Sequence, residues 1–179
     1  MGNRLSKITT RTGDDGATGT ADGERVDKDD VLIQAQGELD ELNSVLGLLA
    51  CRLEGDEQYW VQVIQQNLFD IGGEISLGEH YVEFDIVTEL DEAIENFNNM
   101  LAPLKEFILP GGNEAGAWCH LARAVCRRAE RSMVSLNRRR PLNPASLAYI
   151  NRLSDYLFVF ARLLNDDDEI YWRSGRIKE

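Results

Sequence analysis

Apolar residues recur at the spacing of an α-helix in five stretches of the chain. In the first, the periodic positions run from Val31 to Leu49. Because apolar side chains three and four residues apart share one helix face, each stretch predicts an amphipathic helix. The five helices are predicted from residue 29 onward, at about 56–76, 84–101 and 114–136, and from Pro144 to about 165. Short connections and the lack of a convincing strand pattern predict an all-α five-helix bundle.

The predicted helices are bounded by residues that cap or break helical structure. Acidic residues at 27, 29 and 30 suit the start of the first helix, where they can cap it and favour its dipole. Pro110-Gly111-Gly112 cannot continue a helix, and Asn113 can cap the helix that follows. A short extended piece is expected near residues 170–172.

Residues 8–28 show no hydrophobic period. They contain four glycines and five threonines, a composition typical of a loop. We therefore expect one domain over residues 1–179, with an N-terminal loop at 1–28, the bundle at 29–165 and a tail at 166–179.

Composition narrows the classes of function. The chain is 43% hydrophobic and 28% charged, with a net charge of −12, so nucleic acid is not an expected partner. It has no apolar run long enough for a membrane span and no secretory signal, which predicts a cytoplasmic protein without a membrane partner. The three cysteines, Cys51, Cys119 and Cys126, form no CxxC pair and are expected to be buried thiols.

Against this acidic background, the fourth predicted helix carries a stripe of arginines. Arg123, Arg127 and Arg131 are spaced at i, i+4 and i+8, so they share a face, and Arg128 flanks it. No acidic residue lies four positions before any of the three, so their compensating anions must come from another helix, another subunit or a ligand. Arginine suits forked contacts with phosphate, and we favour an anion site over a solvated face.

The N-terminal loop offers a second set of groups that can bind an anion. Its threonine hydroxyls, flexible glycines, Arg11 and Lys28 could cradle phosphates, and Asp14 and Asp15 could orient a hydrated Mg²⁺. The segment is not a Walker A loop, because the GxxxxGK[ST] spacing is absent. A flexible leader fits the composition equally well.

Three further features have structural as well as functional interpretations. Polar residues 151, 152, 154 and 155 interrupt an apolar helix and fit an exposed stripe in which Arg152 and Asp155 pair. Phe107, in the break before the fourth helix, fits a plug on the core. His120 fits a core or interface residue better than a metal ligand.

Blocks of sequence spread over nearly the whole chain resemble the trimeric ATP:cob(I)alamin adenosyltransferases of the PduO type. They read TRTGDDGATG with GERVDKDD near the start, GELDELNS, FILPGG followed by HLARAVCRRAER, and YINRLSDYLFVFAR near the end. The blocks occur in the family's order and spacing, while the tail matches only loosely.

The resemblance implies roles for individual residues. The implied ATP contacts are Thr10, Arg11, Thr12, Gly13, Thr18, Gly19 and Lys28 in the loop, Arg127, Arg128, Ala129, Glu130 and Arg131 on the fourth helix, and Asn151 on the fifth. Asp40 and Arg123 resemble a pair that forms a salt bridge between subunits, and Phe107 and Phe158 resemble aromatic residues beside the corrin ring.

The resemblance also implies an activity. A homotrimer would transfer the adenosyl group of ATP, with Mg²⁺, to the cobalt of a reduced cobalamin, which agrees with the lack of a Ser, Cys or His nucleophile. A flavoprotein reductase and an adenosylcobalamin-dependent mutase are candidate partners. Two other classes stay open: a helical module that binds nucleotide or corrinoid without catalysis, and a structural bundle whose arginines only bridge subunits.

Overall fold

The structure is a computed structural model, and it describes residues 9, 11–21 and 23–173. It confirms the predicted helical bundle. Within the described residues there are five α-helices: α1 (Val31–Ala50), α2 (Gly55–Leu77), α3 (Asp85–Met100), α4 (Glu114–Asn137) and α5 (Pro144–Asn165). A turn of 3₁₀-helix at Asp166–Asp168 follows α5. Every helix boundary lies within about two residues of its prediction, the ordinary spread of such assignments.

The N-terminal segment is not only loop, and there the prediction was wrong. Two short strands, β1 (Ala17–Gly19) and β2 (Arg25–Asp27), pair antiparallel, with Thr18 opposite Val26. Gly23, with a φ of +89°, lies in the turn that joins them. Strands of three residues are too short to show a period of two, so the sequence pattern could not reveal them.

Side-chain caps fix the starts of three helices. Asp30 accepts a hydrogen bond from the Leu32 N–H at 2.8 Å, and Asn113 accepts one from the Gly116 N–H at 2.9 Å, as the sequence predicted. Asn143 caps α5 in the same way, with proline at the first helical position. Each cap satisfies a backbone N–H group at the helix start and so fixes the residue at which the helix begins.

Helix α4 lies at the centre of the bundle, between α1 and α5, while α2 packs on α1 and α3 packs on α5. The core between them is rich in large side chains, among them Tyr149, Tyr156 and Phe160. None of the described helices is long and apolar enough to cross a membrane.

The expectation that all three cysteines are buried was correct for two of them. Cys119 and Cys126 lie in the core, where burial raises the pKa of both thiols and each contacts a backbone carbonyl of α5. Cys51 is exposed, because it is the C-terminal cap of α1 and follows the last buried turn.

A buried carboxylate ties the connection after α2 to the start of α5. Glu74 is 3% exposed. Its two oxygens accept hydrogen bonds from the N–H groups of Tyr81 and Val82, from Asn143 Nδ2 and from Ser146 Oγ, at 2.5 to 2.8 Å. Burial acts to raise the pKa of Glu74, but these hydrogen bonds outweigh it and lower the pKa below its usual value.

We expect Glu74→Gln to lower the free energy of unfolding by about 2 kcal/mol near neutral pH. The glutamine side chain would place an NH₂ donor where one carboxylate oxygen now accepts hydrogen bonds, so at least one buried donor would lose its partner. The folded-state pKa is depressed, so the carboxylate stabilises the fold above about pH 4.5 and this contribution is lost as the pH falls through the folded value. Urea unfolding at a series of pH values tests this. The wild type should lose its advantage over the variant in acid, whereas Glu79→Gln, at an exposed site, should match the wild type throughout.

Candidate active site

The arginine stripe of α4 faces a cleft between α4, α5 and the connection that follows α3. Arg123 and Arg127 line this cleft together with Asp155 and Phe158 of α5, and we call it the arginine cleft. Its volume is about 700 Å³, large enough for a nucleotide or part of a larger ligand. The predicted shared face therefore opens on a cavity at Arg123 and Arg127, whereas Arg131 is not one of its lining residues.

The four arginines differ in how their charges are compensated. Arg128 forms an ion pair with Glu41 of α1, so its anion comes from another helix. Arg131 donates from Nη1 to the carbonyl of Arg127 at 2.8 Å and forms no ion pair with any residue that the structure describes. Within the described part of the chain, Arg127 is exposed and forms no ion pair.

Arg123 is the most constrained of the four arginines. Its Nε is buried and has no hydrogen-bond partner among the described residues. Burial lowers the pKa of Arg123, and the neighbouring charge of Arg127 lowers it further. Its guanidinium lies 5.9 Å from the centre of the Phe158 ring, a weak cation–π contact. A partly desolvated cation in this state favours an anion from outside the protomer.

Residues at the edge of the stripe connect α4 to α5. Asn151 Nδ2 donates to Glu130 Oε1 at 2.9 Å, so these two predicted site residues do meet. Ala129 is fully buried, so its side chain faces the core and not a ligand. The predicted pair of Arg152 and Asp155 is present at 3.5 Å.

A second cleft adjoins the first and is lined by aromatic side chains. Phe107 and Phe158 line it with Arg123 and the stretch 104–106, and we call it the phenylalanine cleft. Its volume is about 520 Å³. Phe107 is 77% exposed, so the interpretation of this residue as a core plug was wrong. The chain passes over the bundle here without burying the ring, and a large exposed aromatic beside a cleft favours a ligand contact.

His120 lies behind Phe158 and is a core residue, as predicted. It is 3% exposed, its ring meets Phe158 edge to face at 6.3 Å, and neither of its nitrogens has a partner among the described residues. Burial lowers the pKa of His120, and the charge of Arg123 acts in the same direction. The imidazole is therefore neutral near pH 7 and supports the Phe158 ring.

The break before α4 is held by Asn165 at the end of α5. Asn165 Oδ1 accepts from the Asn113 N–H at 3.1 Å, and its Nδ2 donates to the Gly111 carbonyl at 2.8 Å. A Cβ on Gly112 or Gly116 would lie 2.3 or 1.9 Å from Asn165 Oδ1, so both positions require glycine. This contact explains the second glycine of the PGG motif and ties the segment before α4 to the end of α5.

The described residues of the N-terminal loop line neither of the clefts that hold Arg123 and Arg127. Thr10 lies outside the described residues. The two strands contact each other far more than they contact any helix. The other predicted loop residues, Arg11, Thr12, Gly13, Thr18, Gly19 and Lys28, are exposed or half-buried.

Within the loop, Gly13 lies against Lys28. A Cβ at Gly13 would be 3.1 Å from Lys28 Nζ, so this position favours glycine. Asp15 is paired with Arg25 at 3.2 Å and accepts from the Ala17 N–H at 3.1 Å, so it fastens the hairpin. No group of three or more His, Cys, Asp or Glu side chains among the described residues could hold a metal ion.

A family model described as cobalamin adenosyltransferase matches residues 8–164. The chain belongs to the cobalamin adenosyltransferase family. The resemblance drawn from the sequence motifs is thereby confirmed.

Individual members of the family are similar over almost their full length. A cobalamin adenosyltransferase from Cupriavidus metallidurans is 48% identical over 182 residues, which cover 98% of this chain and 99% of the relative. A corrinoid adenosyltransferase from Bacillus subtilis is 38% identical over 168 residues, 89% of this chain and 86% of the relative.

A solved structure supports the same fold. It is a phenylalanine-to-alanine variant of a PduO-type ATP:corrinoid adenosyltransferase from Lactobacillus reuteri, complexed with cobalamin and ATP. The two chains align with a TM-score of 0.87 and 34% identity, over 94% of this chain and 100% of the other.

In this member of the cobalamin adenosyltransferase family, Asp40 and Arg123 are separated within the protomer. Asp40 is exposed and lines a cavity of about 370 Å³ between α1 and α2, which shares no lining residue with the two clefts. Among the described residues, neither Asp40 nor Arg123 has an ion-pair partner, and the two line different cavities.

Sequence reasoning missed three residues that shape the site: Arg162, Asn165 and Glu169. Arg162 and Asn165 are buried polar residues at the end of the apolar helix α5. A charged residue among the core positions of a helix is a usable signal, because it must find partners there. Glu169 gave no signal, since it lies beyond the helix in an acidic stretch.

Proposed function

We propose that the protein transfers the 5′-deoxyadenosyl group of ATP to the cobalt of cob(I)alamin and releases triphosphate. The observation that carries the proposal is the adjacency of the uncompensated Arg123 and Arg127 to the aromatic wall formed by Phe107 and Phe158, in a chain of this family. One cleft offers cations for phosphates and the other an apolar surface for a macrocycle.

In the transfer step, the electron pair of the reduced cobalt forms a bond to C5′ of ATP. The bond from C5′ to its phosphate oxygen breaks, and triphosphate leaves with that electron pair. The protein needs no nucleophile of its own, and its task is to orient the substrates and stabilise charge. Arg127 and Arg131 are proposed to stabilise the charge that develops on the leaving group, with Glu130 and Asn151 fixing the edge of the site.

Phe107 and Phe158 are proposed to contact the corrin. A bulky apolar side chain under the ring leaves no room for a polar lower axial ligand, and this makes the cobalt easier to reduce. The exposure of Phe107 supports this role, because the ring is free to contact a bound substrate.

We further propose a homotrimer with sites between adjacent subunits. An ion pair between Asp40 of one copy and Arg123 of the next would supply the anion that Arg123 lacks. The N-terminal loop, whose described residues do not line the arginine cleft of their own protomer, would close the cleft of a neighbour with Thr10, Thr12, Thr18 and Lys28. Mg²⁺ would enter bound to the phosphates of ATP, which needs no dedicated protein cage. A flavoprotein is the proposed source of electrons.

The activity is tested by mixing the protein with ATP, Mg²⁺ and chemically reduced cobalamin and recording the visible spectrum. We expect conversion to the spectrum of an alkylated cobalamin, with one triphosphate released per product. ATP at about a hundred times its Kd should also raise the free energy of unfolding by about 2.7 kcal/mol. An ATP-dependent shift without conversion would identify a binding module, and the absence of both would identify a structural bundle.

A further inference from the structure

Arg162 joins three parts of the chain and lines the arginine cleft, which shares Leu104, Arg123 and Phe158 with the phenylalanine cleft. It lies in the last turn of α5 and is 6% exposed. Its Nε donates to Glu169 Oε1 at 2.8 Å, and its Nη2 donates to the carbonyl of Ala102 at 2.9 Å. The ion pair with Glu169 is buried, with side chains 7% and 9% exposed. Removing one partner of such a pair leaves a buried charge, so the contact is a strong restraint.

The residues after Glu169 run beside the segment that carries Phe107. The Trp172 N–H donates to the Phe107 carbonyl at 2.7 Å, and the Leu109 N–H donates to the Ile170 carbonyl at 2.8 Å. An antiparallel bridge lies between these two hydrogen bonds. The rings of Phe107 and Trp172 meet edge to face at 6.3 Å. We call residues 170–172 the tail strand.

The tail strand has little else to hold it. Ile170, Tyr171 and Trp172 are all 45% exposed or more. A two-stranded pair of this length is marginal in water without packing on a core. The buried anchor of the tail strand is therefore the ion pair of Glu169 with Arg162.

We propose that Arg162 is a positioning residue for adenosyl transfer. Its ion pair with Glu169 fixes the tail strand against residues 107–109 and so holds Phe107 at the wall of the phenylalanine cleft. We call the ion pair of Arg162 with Glu169 the latch. Because Phe107 is 77% exposed, its direction depends on its backbone and on Trp172 more than on core packing. The consequence for catalysis rests on the proposed function, whereas the latch itself does not.

The latch is tested directly by amide hydrogen exchange in the full-length protein. In Glu169→Ala, the N–H groups of Leu109 and Trp172 should exchange at least about tenfold faster than in the wild type, while core amides of α4 keep their protection. Asp168→Ala, at an exposed site one residue earlier, is the matched control and should leave both amides unchanged. Glu169→Gln keeps an acceptor for Arg162 without the charge and should give an intermediate rate. Unchanged exchange at both amides in Glu169→Ala would overturn the latch.

Kinetics separate positioning from a merely structural role. We expect Glu169→Ala to lower kcat/KM for reduced corrinoid by about ten- to a hundredfold, because a small misplacement of a positioned group has effects of this size. The KM for ATP should stay within about twofold, since the substituted residue Glu169 lines neither cleft and Arg162 keeps its hydrogen bond to Ala102. Equal losses toward both substrates, or faster exchange with normal corrinoid kinetics, would overturn the positioning role. If the wild type itself shows no transfer, the proposed function fails, and the exchange result still decides the latch.

Discussion

Arg127→Ala is expected to lower kcat/KM for ATP by about a hundred- to a thousandfold, because one fixed donor to a developing charge has an effect of this size. Arg127 lines the arginine cleft and has no carboxylate partner in the described part of the chain, so its charge is available to a ligand. Both an increase in the KM for ATP and a decrease in kcat should appear, since phosphate is bound before and during the transfer. Steady-state kinetics with varied ATP and saturating reduced cobalamin measure both.

The same variant should not lose stability. In the free protomer Arg127 lowers the pKa of Arg123 by repulsion, so its removal relieves an unfavourable contact. We expect an unchanged or slightly higher midpoint of urea unfolding together with the loss of activity. Arg139→Ala, which removes the same charge from an exposed site after α4, should have normal kinetics. Normal ATP kinetics in Arg127→Ala would remove this residue from the site.

The helical fold was predictable because each helix is specified by the apolar spacing and capping residues of its own stretch of sequence. Helices of 16 to 24 residues repeat the apolar period several times, so their existence and approximate ends follow from spacing and caps. The hairpin at 17–27 was not predictable from the pattern, because its strands are three residues long and their side chains are mostly exposed or half-buried. Its register depends on the turn and on the pairing of Arg25 with Asp15, a contact that spacing alone does not indicate.

The site was predictable only in part, because some of its contacts join residues of different segments, which helical spacing does not relate. The common face of Arg123 and Arg127 follows from helical spacing, and the structure places both at one cleft. The latch of Arg162 with Glu169 spans a reversal at Asp166, which has a φ of +46°. A non-glycine residue with positive φ gives no reliable sign in the sequence. The contact of Asn165 with the break before α4 likewise joins two segments, and only three-dimensional packing reveals it.

Phe107→Ala is expected to impair the reaction by an amount that depends on the oxidation state of the cobalamin supplied. Starting from cob(II)alamin with a mild reductant, turnover should fall by about ten- to a hundredfold, equivalent to about 1.4 to 2.8 kcal/mol. This is the range of effects assigned to desolvation and substrate strain. Starting from cobalamin that is already reduced, the defect should shrink, because the excluded axial ligand matters most for the reduction. The KM for ATP should change little, since Phe107 lines the phenylalanine cleft and not the arginine cleft.

Two further variants make the test of Phe107 specific. Phe107→Leu keeps an apolar side chain in place and should recover much of the lost turnover, whereas a requirement for the aromatic ring itself would leave leucine as poor as alanine. Phe84→Ala removes an equally large side chain from another exposed position, 55% accessible at the start of α3, and should behave as wild type. An equal loss of rate with both oxidation states would contradict exclusion of the axial ligand. Phe107 would then act on binding of the corrin as a whole, and the KM for reduced cobalamin would rise in the same proportion.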